Sequence, residues 1–321
     1  MNLENKTILV TGGAGLVGSC LARQLAADND IRVVDDLSNG VRDSVPDDVT
    51  FLEGDLSTRE TLEETVTADV DAVFHCAVAD KYVNSDDPRT QFDENVDMTH
   101  ALLERMDAVG VSNVAFTSSS TVYGEAPRPT PEDYAPLEPI SAYGAAKLAE
   151  ESLLSVYAHT RNISVWSFRF ANVVGPRFGA GVVPDFVEKL AADPQELTIL
   201  GNGRQEKSYM HVSDCVDAIE HAIERTADSA GPMRIFNLGT RTTTSVDRIA
   251  DIVSEEMNLD PTYSYTGGSR GWTGDVPKMQ LSIEKLSALG WKPAYSSDEA
   301  VRRVASDLAA DLETVSPVSN A

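Results

Sequence analysis

A tyrosine and a lysine stand four residues apart in the middle of the chain, at Tyr143 and Lys147, downstream of the serines Ser118, Ser119 and Ser120. Four residues make about one helical turn, so the two side chains would lie on one face of a helix. A cationic lysine, with an oxidised nicotinamide nearby, would lower the pKa of the phenol through opposite charge. The phenolate could then accept the proton of an alcohol as hydride leaves the carbon, while Ser119 hydrogen-bonds the same oxygen.

A glycine-rich turn near the start of the chain indicates where the nicotinamide would bind. Gly12, Gly15 and Gly18 directly follow a β-branched run and open a helix-like segment. Glycine lets the backbone approach a phosphate closely, and a helix N-terminus favours its negative charge. The spacing is not the plain Gly-x-Gly-x-x-Gly pattern, so a purely structural turn stays an alternative for this motif alone.

Acidic residues follow the next two predicted strands. Asp35 lies about 20 residues beyond the turn, where a carboxylate can bind the ribose hydroxyls of a dinucleotide. Asp35 would repel a 2′-phosphate, which favours NAD over NADP. Asp55 and Leu56 follow the third strand and could lie near the adenine. The alternatives are a solvated turn for Asp35 and a cap of the segment Ser57–Glu64 for Asp55.

Short β-branched runs alternate with amphipathic segments in the first half of the chain, which predicts an α/β fold with a doubly wound, Rossmann-like parallel sheet. The predicted strands are Thr7–Val10, Ile31–Val34, Val49–Leu52, Ala72–His75, Val114–Thr117 and Val165–Phe168. The predicted helices include Leu16–Leu25, Thr90–Ala108 and Tyr143–His159.

The regular alternation of predicted strands and helices ends after Gly175-Pro176, where the predicted loops become longer. We therefore predict an NAD-binding domain over residues 1–175 and mainly a smaller C-terminal substrate lobe over 176–313. Parts of the chain near 208–253 are expected to pack back on the first domain. The small, polar end over 314–321 is predicted to be a flexible tail.

The composition and net charge of the chain exclude some classes of binding partner. The chain has 321 residues and a net charge of −25, which argues against nucleic acid or an anionic membrane as partner because both need a basic face. The start of the chain lacks the pattern of a signal peptide, and no apolar run is long enough for a membrane helix, so we expect a cytoplasmic protein.

An acidic composition with few lysines suits a salt-adapted, halophilic host. The three cysteines are scattered without metal-ligand spacing, and no metal site is predicted.

Together these motifs resemble the extended short-chain dehydrogenase/reductase family, particularly its NAD-dependent nucleotide-sugar epimerases. The resemblance covers nearly the whole chain, from the turn beginning at Thr11 to the segment Gly290-Trp291-Lys292-Pro293. The further segments that carry it are Thr117–Gly124, Tyr143–Lys147, Arg169–Pro176, Gly201–Ser208 and Arg270–Asp275.

The resemblance assigns a role to each matching position. Ser119, Tyr143 and Lys147 match the catalytic serine or threonine, the base and its cationic partner, and Asn95 matches a residue that orders the active-site backbone. The cofactor-binding positions implied are Gly12, Gly15, Leu16, Val17, Gly18, Asp35, Asn39, Gly40, Asp55, Leu56, Ala77, Asn95, Thr117, Tyr143, Lys147 and Phe170.

Later segments supply the residues expected to bind the sugar nucleotide, together with Ser119. Asn172 matches a ligand of its diphosphate, and Gln205 lies in the same motif region. Arg270 could hold a phosphate with two parallel hydrogen bonds. Lys207 stands where relatives commonly have arginine, so its contact would be a point charge, and a solvated lysine is the alternative.

The residues beside Ser119 bear on the type of reaction. Dehydratases of this family typically carry Asp and Glu where this chain has Ser120 and Thr121, and the decarboxylases carry Glu at the second position. The pattern here is similar to that of the UDP-glucose 4-epimerases. The resemblance therefore implies 4-epimerisation of a UDP-sugar, in which a transient 4-keto sugar rotates while its diphosphate stays anchored.

Several points stay open at the level of sequence. Met279 aligns near the position that gates N-acetyl sugars, so UDP-glucose/UDP-galactose and the N-acetyl forms are both compatible with it. Another sugar-nucleotide enzyme of the family (a dehydratase, decarboxylase or reductase) is the nearer alternative function, and a non-catalytic NAD-binding protein is the further one. The helices Thr90–Ala108 and Tyr143–His159 resemble those that pair in family homodimers, although their apolar positions fit an internal core equally well.

Overall fold

The computed structural model describes residues 1–79, 87–176, 181–227, 229 and 231–315. Its strands are β1 Thr7–Thr11, β2 Asp30–Asp35, β3 Thr50–Glu53, β4 Ala72–His75, β5 Asn113–Ser119, β6 Ser164–Phe170, β7 Asn172–Val174, β8 Glu196–Ile199, β9 Glu206–Lys207, β10 Tyr209–His211, β11 Met233–Leu238, β12 Thr244–Ser245, β13 Thr262–Tyr265 and β14 Lys278–Met279. Its α-helices are α1 Leu16–Leu25, α2 Arg59–Thr65, α3 Pro88–Val109, α4 Ala142–Thr160, α5 Val182–Ala192, α6 Val212–Arg225, α7 Val246–Glu256, α8 Glu284–Ala288 and α9 Ser297–Val315.

A seven-stranded sheet forms the centre of the molecule, in the order β11-β6-β5-β4-β1-β2-β3, with every neighbouring pair parallel. Parallel neighbours need crossover connections, and helices supply them on both faces. The predicted doubly wound α/β fold is confirmed.

The strand most relevant to function is longer than its apolar pattern indicates. The sequence predicts that β5 ends at Thr117, but the ladder with β6 continues through Ser118 and Ser119, which pair with Arg169 and Phe170. Hydrophobic patterning misses these positions because their side chains are polar while their backbones still complete the sheet. The extension brings the serine hydroxyls to the carboxyl edge of the sheet.

Two apolar layers cover the central sheet. On one face, α1 and α6 bury Leu21 and Ile219 against the sheet residue Phe74. On the other face, α3 and α4 bury Leu102 and Leu154 in a second cluster. Because both faces are covered, the strands read as nearly continuous apolar runs rather than as an alternating pattern.

The smaller lobe has a core of its own, built from α5, α7, α9 and β8. Within 208–253, α6 packs on the large sheet and β11 is its edge strand, whereas α7 places Ile249 and Val253 in the small-lobe core. Helix α9 extends through Val315, beyond the predicted end of the lobe at 313. Residues 316–321 of the predicted tail lie outside the described residues.

A buried ion pair joins α4 to the sheet. The Arg169 guanidinium donates from Nε to Glu151 Oε1 over 2.9 Å and from Nη2 to Oε2 over 2.7 Å. Ser167 donates to the same carboxylate over 3.1 Å. The side chains of Arg169 and Glu151 are only 3% and 5% exposed, so neither charge has water to replace its partner.

We predict that Glu151→Gln destabilises the fold by about 3–5 kcal/mol, because it leaves Arg169 as an uncompensated buried charge. Urea denaturation gives the free energy of unfolding. The matched control is Glu63→Gln, which removes the carboxylate of the exposed pair with Arg59 and should leave the unfolding midpoint nearly unchanged. Equal effects of the two substitutions would contradict the prediction.

Candidate active site

A cavity of about 1700 Å³ lies at the carboxyl ends of the central strands and extends towards the smaller lobe. Ligand sites of open parallel sheets occur at this edge, and the volume exceeds the 300–1,000 Å³ of a typical single-ligand pocket. Most of the residues singled out in the sequence line it. These are Gly12, Gly15, Leu16, Val17, Gly18, Asp35, Asn39, Gly40, Asp55, Leu56, Ala77, Thr117, Ser119, Tyr143, Lys147, Phe170, Asn172, Gln205 and Lys207.

The glycine turn is packed too tightly for side chains. Gly12 has φ +65°, and a Cβ there would lie 2.6 Å from the backbone nitrogen of Ala77. A Cβ on Gly18 would lie 2.2 Å from the carbonyl oxygen of Gly12. Helix α1 therefore begins directly against the turn, and Gly15, its N-cap residue, has no side chain to cover the first backbone N–H groups. This arrangement fits the pyrophosphate of a dinucleotide.

Asp35 lies at the carboxyl end of β2 and is 9% exposed. Its Oδ2 accepts from Ala14 N over 2.9 Å and its Oδ1 from Leu37 N over 2.8 Å. Burial raises the pKa of this carboxyl above its ordinary value, while the two backbone bonds act in the opposite direction. The two backbone N–H groups fix the carboxylate but leave it further lone pairs, which could accept hydrogen bonds from ribose hydroxyls. Its burial argues against a merely solvated turn.

Asp55 lines the cavity but does not cap the following helix. Its side chain accepts from Ser57 N over 2.8 Å, whereas the N-cap residue of α2 is Thr58, which accepts from Thr61 N. Asp55 therefore holds the N–H of Ser57, at the start of the segment for which capping is the alternative, and it also lines the cavity beside Leu56.

Asn95 is placed differently from the other predicted cofactor residues. It is fully buried in α3 and lies behind the cavity wall. Its Oδ1 accepts from Ala79 N over 3.0 Å, and its Nδ2 donates to Ala79 O over 2.8 Å. These paired bonds hold the backbone of Ala79, which lines the cavity, and this is the ordering role expected of Asn95; a direct contact of Asn95 with the cofactor stays a prediction.

The Tyr143 phenol lies beside the carboxyl end of β5. The N-cap residue Ser141 accepts from Gly144 N over 3.1 Å and starts α4 just before the tyrosine. Ser119 Oγ accepts from the backbone N–H and from the hydroxyl of Thr121, over 3.2 and 2.9 Å. Because these bonds occupy its lone pairs, Ser119 has its proton available for the neighbouring oxygen of Tyr143, where it acts to lower the pKa of the phenol.

The pKa of Tyr143 departs from the sequence-based expectation. The proximity of Lys147 predicts a lowered value, but burial raises the pKa of this phenol well above its ordinary range, and the charge of Glu150 raises it further. The hydrogen bond from Ser119 acts in the lowering direction. Burial is the main cause of this difference, and the ammonium of Lys147, which was expected to lower the value, forms an ion pair with Glu150 at 3.3 Å.

At the far end of the cavity the smaller lobe contributes polar side chains. Lys207 Nζ lies 2.5 Å from Asp275 Oδ1 and 4.9 Å from the ring centroid of Trp272. Gln205 donates from Nε2 to Leu200 O over 2.9 Å. Its Oε1 is buried and accepts no hydrogen bond from the described residues, which leaves an acceptor for a ligand donor.

Arg270 does not line the large cavity. Its guanidinium forms an ion pair with Glu125 and donates to the carbonyl oxygen of Asp275, and it faces a neighbouring cavity of about 450 Å³. A carboxylate and a carbonyl therefore hold the donors of Arg270, and its direct phosphate contact stays a prediction.

Sequence reasoning missed several residues of the site. Tyr209, Trp272 and Asp275 line the cavity, and Glu150 contacts Lys147 from below. Trp272 and Asp275 fall inside the motif Arg270–Asp275, which was noted only for its arginine. Glu150 directly precedes the structural carboxylate Glu151, and helical spacing from Lys147 was the available signal.

Neither a membrane-crossing helix nor a metal-holding cluster is found in the part of the chain that the structure describes. No helix there is both long and apolar enough to cross a membrane. No group of three or more His, Cys, Asp or Glu side chains there is arranged to hold a metal ion.

Residues 8–239 match the model of the NAD dependent epimerase/dehydratase family. The chain is 31% identical to a UDP-glucose 4-epimerase of Corynebacterium glutamicum over 309 residues, which cover 90% of this chain and 91% of that protein. It also resembles the crystal structure of a UDP-galactose 4-epimerase, at 38% identity and a TM-score of 0.88, covering 95% of this chain and 99% of the other. A UDP-glucose 4-epimerase from Thermotoga maritima, solved with UDP-glucose, is 32% identical with a TM-score of 0.86, covering 96% and 100%. These findings confirm the family expected from the motifs, and NAD as its cofactor.

We predict that Asp35→Asn reduces the preference for NAD over NADP by roughly tenfold, about 1.4 kcal/mol, because a neutral amide no longer repels a 2′-phosphate. Calorimetric Kd values for both dinucleotides measure the ratio. The matched control is Asp36→Asn, since Asp36 is exposed and accepts from Ser38 N over 2.9 Å. An unchanged ratio in Asp35→Asn, or an equal change in both variants, would contradict the assignment.

Proposed function

Because the chain belongs to the NAD dependent epimerase/dehydratase family, we propose that it catalyses the 4-epimerisation of a UDP-sugar through a transient 4-keto sugar. The substrate pairs with which this is compatible are UDP-glucose and UDP-galactose or their N-acetyl forms. Relatives and structural neighbours that act on UDP-glucose and UDP-galactose support the proposal.

The single observation that carries the proposal is the position of Ser119 and Tyr143. Both line the cavity that also contains the glycine turn. The phenol lies close enough to Ser119 for this hydroxyl to lower the pKa of Tyr143, and Lys147 lies beneath it on the same helix, with its Nζ 5.9 Å from the centre of the tyrosine ring. A proton acceptor, an orienting hydroxyl and a dinucleotide-binding turn thus share one enclosed space.

The chemistry assigned to the residues of the chain is proton transfer. Tyr143, as phenolate, takes the proton of the C4 hydroxyl while Ser119 donates a hydrogen bond to the same sugar oxygen. NAD would be held by the glycine turn and Asp35 and would supply the hydride acceptor and donor for C4. Tyr143 gives its proton back to the oxygen when the 4-keto sugar is reduced on its opposite face. Proton and hydride both balance over the cycle, so no external reductant is consumed.

The local chemistry favours epimerisation over the dehydratase alternative. Removing water from a sugar needs an additional acid and base. At the two positions after Ser119 the chain has hydroxyl residues, and Thr121 donates its hydroxyl to Ser119 over 2.9 Å. A hydroxyl that is already committed to orienting Ser119 is a poor proton carrier, which supports a reaction needing one acid–base residue.

We assign the anchoring of the diphosphate to Asn172 and Lys207, both of which line the cavity. Arg270 would reach the phosphates only by leaving Glu125, so its role in binding remains a proposal about the liganded state. Met279 lines the sugar end of this region and is 8% exposed. Its flexible side chain leaves both sizes of sugar open.

A homodimer and a cytoplasmic location stay predictions. The outward face of α4 carries Val156 at 55% exposure, on one of the two helices for which pairing is expected. The non-catalytic NAD-binding alternative requires no catalytic set, and the converging Ser119, Tyr143 and Lys147 argue against it.

We predict that Tyr143→Phe lowers kcat by ~10²–10⁴, the usual loss when a general acid–base group is removed. The assay incubates the NAD-loaded protein with UDP- and dTDP-sugars, without added dinucleotide, and resolves the products. Because burial raises the pKa of Tyr143 and the base must be deprotonated, kcat should rise as the pH increases through the neutral range.

The matched control is Tyr157→Phe, which removes a phenol on the same helix outside the cavity and should keep wild-type kcat. Near-normal turnover in Tyr143→Phe would refute the role of this residue. Wild-type activity that consumes added NADH instead of interconverting two sugars would favour a reductase.

We propose further that the acidic surface is adapted to concentrated salt. A net charge of −25 repels itself in dilute buffer, and salt screens this repulsion. The melting temperature should therefore rise from dilute buffer to molar KCl. NaCl at equal ionic strength should act alike if screening is the cause, and equal or higher stability in dilute buffer would contradict the proposal.

A further inference from the structure

A second buried carboxylate, Glu150, lies directly beneath the catalytic lysine. The side chains of Glu150 and Lys147 are 0% and 1% exposed, and Lys147 Nζ lies 3.3 Å from both Oε1 and Oε2. Oε2 accepts no hydrogen bond from the described residues. The ion pair with Lys147 is therefore the main compensation for burying this charge.

A line of hydrogen bonds connects Glu150 with the dinucleotide turn. Thr99 donates its hydroxyl to Glu150 Oε1 over 2.7 Å. His75 Nε2 lies 3.0 Å from Thr99 Oγ, and His75 Nδ1 lies 2.8 Å from Thr11 Oγ. Thr11 Oγ also accepts from Ala77 N over 3.2 Å, and Ala77 is the backbone against which the glycine turn packs.

The direction of these bonds follows from the donors available. A threonine hydroxyl has one proton, and Thr99 gives it to the carboxylate, so His75 must donate from Nε2 to Thr99. Nδ1 of His75 is then an acceptor, and Thr11 donates to it. His75 remains neutral in this line, since burial and the charge of Lys147 lower its pKa to about 3. Glu150 thus selects one tautomer of a fully buried imidazole.

We propose that Glu150 is a positioning residue of the proposed epimerisation, which holds the Lys147 ammonium beneath Tyr143 and keeps the phenol a reversible proton carrier. The proposal rests on the proposed function. Epimerisation requires one residue to remove the proton of the C4 hydroxyl and then to return it. A lysine with no counter-charge would favour the phenolate and oppose the return, whereas a paired lysine keeps the phenol and phenolate closer in free energy.

Other charged or titratable groups also surround this phenol and its partners and must be held constant in a test. They are Glu151 from α4, His75 and Cys76 at the end of β4, Ser119 from β5 and Arg169 from β6. Only Glu150 forms an ion pair with Lys147 among the described residues.

The test is an ultraviolet difference titration of the NAD-loaded protein without sugar, with Tyr143→Phe as the blank for each background. Glu150→Gln should lower the pKa of Tyr143 by about 1 unit, which raises the tyrosinate fraction at a fixed alkaline pH about tenfold. The matched control is Glu104→Gln, which removes a carboxylate from the exposed side of α3 and should leave that fraction unchanged.

An unchanged tyrosinate fraction in folded Glu150→Gln would overturn the proposal, as would an equal shift in Glu104→Gln. Because the titration uses no sugar, it gives an answer even if the protein proves not to be an epimerase. A missing shift together with normal epimerase activity would refute only the role of Glu150.

A second pair of variants decides the question if Glu150→Gln does not fold. Thr99→Val removes the hydroxyl between Glu150 and His75, while Thr99→Ser keeps it. We expect kcat to fall about tenfold in the valine variant with KM near that of the wild type, and the serine variant to retain kcat. Equal kcat values in the two variants would overturn the proposal.

Discussion

The rotation of helix α4 is fixed by two adjacent carboxylates that both have to be buried. Glu150 and Glu151 point to different partners, Lys147 on the helix itself and Arg169 on β6. A buried carboxylate without a partner is far more costly than a missing apolar contact. Glu151 is held by Arg169 on β6 and Glu150 by the hydroxyl of Thr99 on α3, so the helix cannot turn about its axis or slide along the sheet without losing one of these two contacts. Tyr143 lies one turn before Lys147 and inherits its position from this constraint.

The same arrangement separates two tasks that charged residues often combine. The Arg169–Glu151 pair is bidentate and is closed off further by Tyr123, whose hydroxyl accepts from Arg169 Nη1 over 2.8 Å. It faces away from the cavity and joins layers of the fold. The pair of Lys147 and Glu150 lies below the cavity, where changes of charge reach the reacting groups. Neighbouring positions in the sequence thus serve stability and chemistry separately.

Much of the fold and the dinucleotide end of the site could be predicted because their signals are local. The turn from Gly12 to Gly18 and the helical step from Tyr143 to Lys147 each lie within a few residues, and hydrophobic patterning located the strands that carry them. The substrate end depends on pairs distant in sequence, such as Lys207 with Asp275, 68 residues apart. Sequence spacing does not reveal such pairing, nor does it reveal the ion pair of Arg270 with Glu125. The expectation of a lowered pKa for Tyr143 left out the burial of its phenol, which is the main cause of the raised value, and the charge of Glu150.

The pair of Lys207 with Asp275 bears on how long a bound sugar nucleotide stays. Asp275 is 2% exposed, so its carboxylate stays paired with the Lys207 ammonium when a diphosphate binds. The electrostatic free energy that Lys207 contributes to binding is therefore smaller than that of an unpaired lysine. Under the proposed function, the incoming and outgoing sugars carry the same diphosphate and are held equally loosely. A reaction that runs close to equilibrium in both directions needs similar dissociation rates for its two sugars, because a tightly bound product would delay the next turnover.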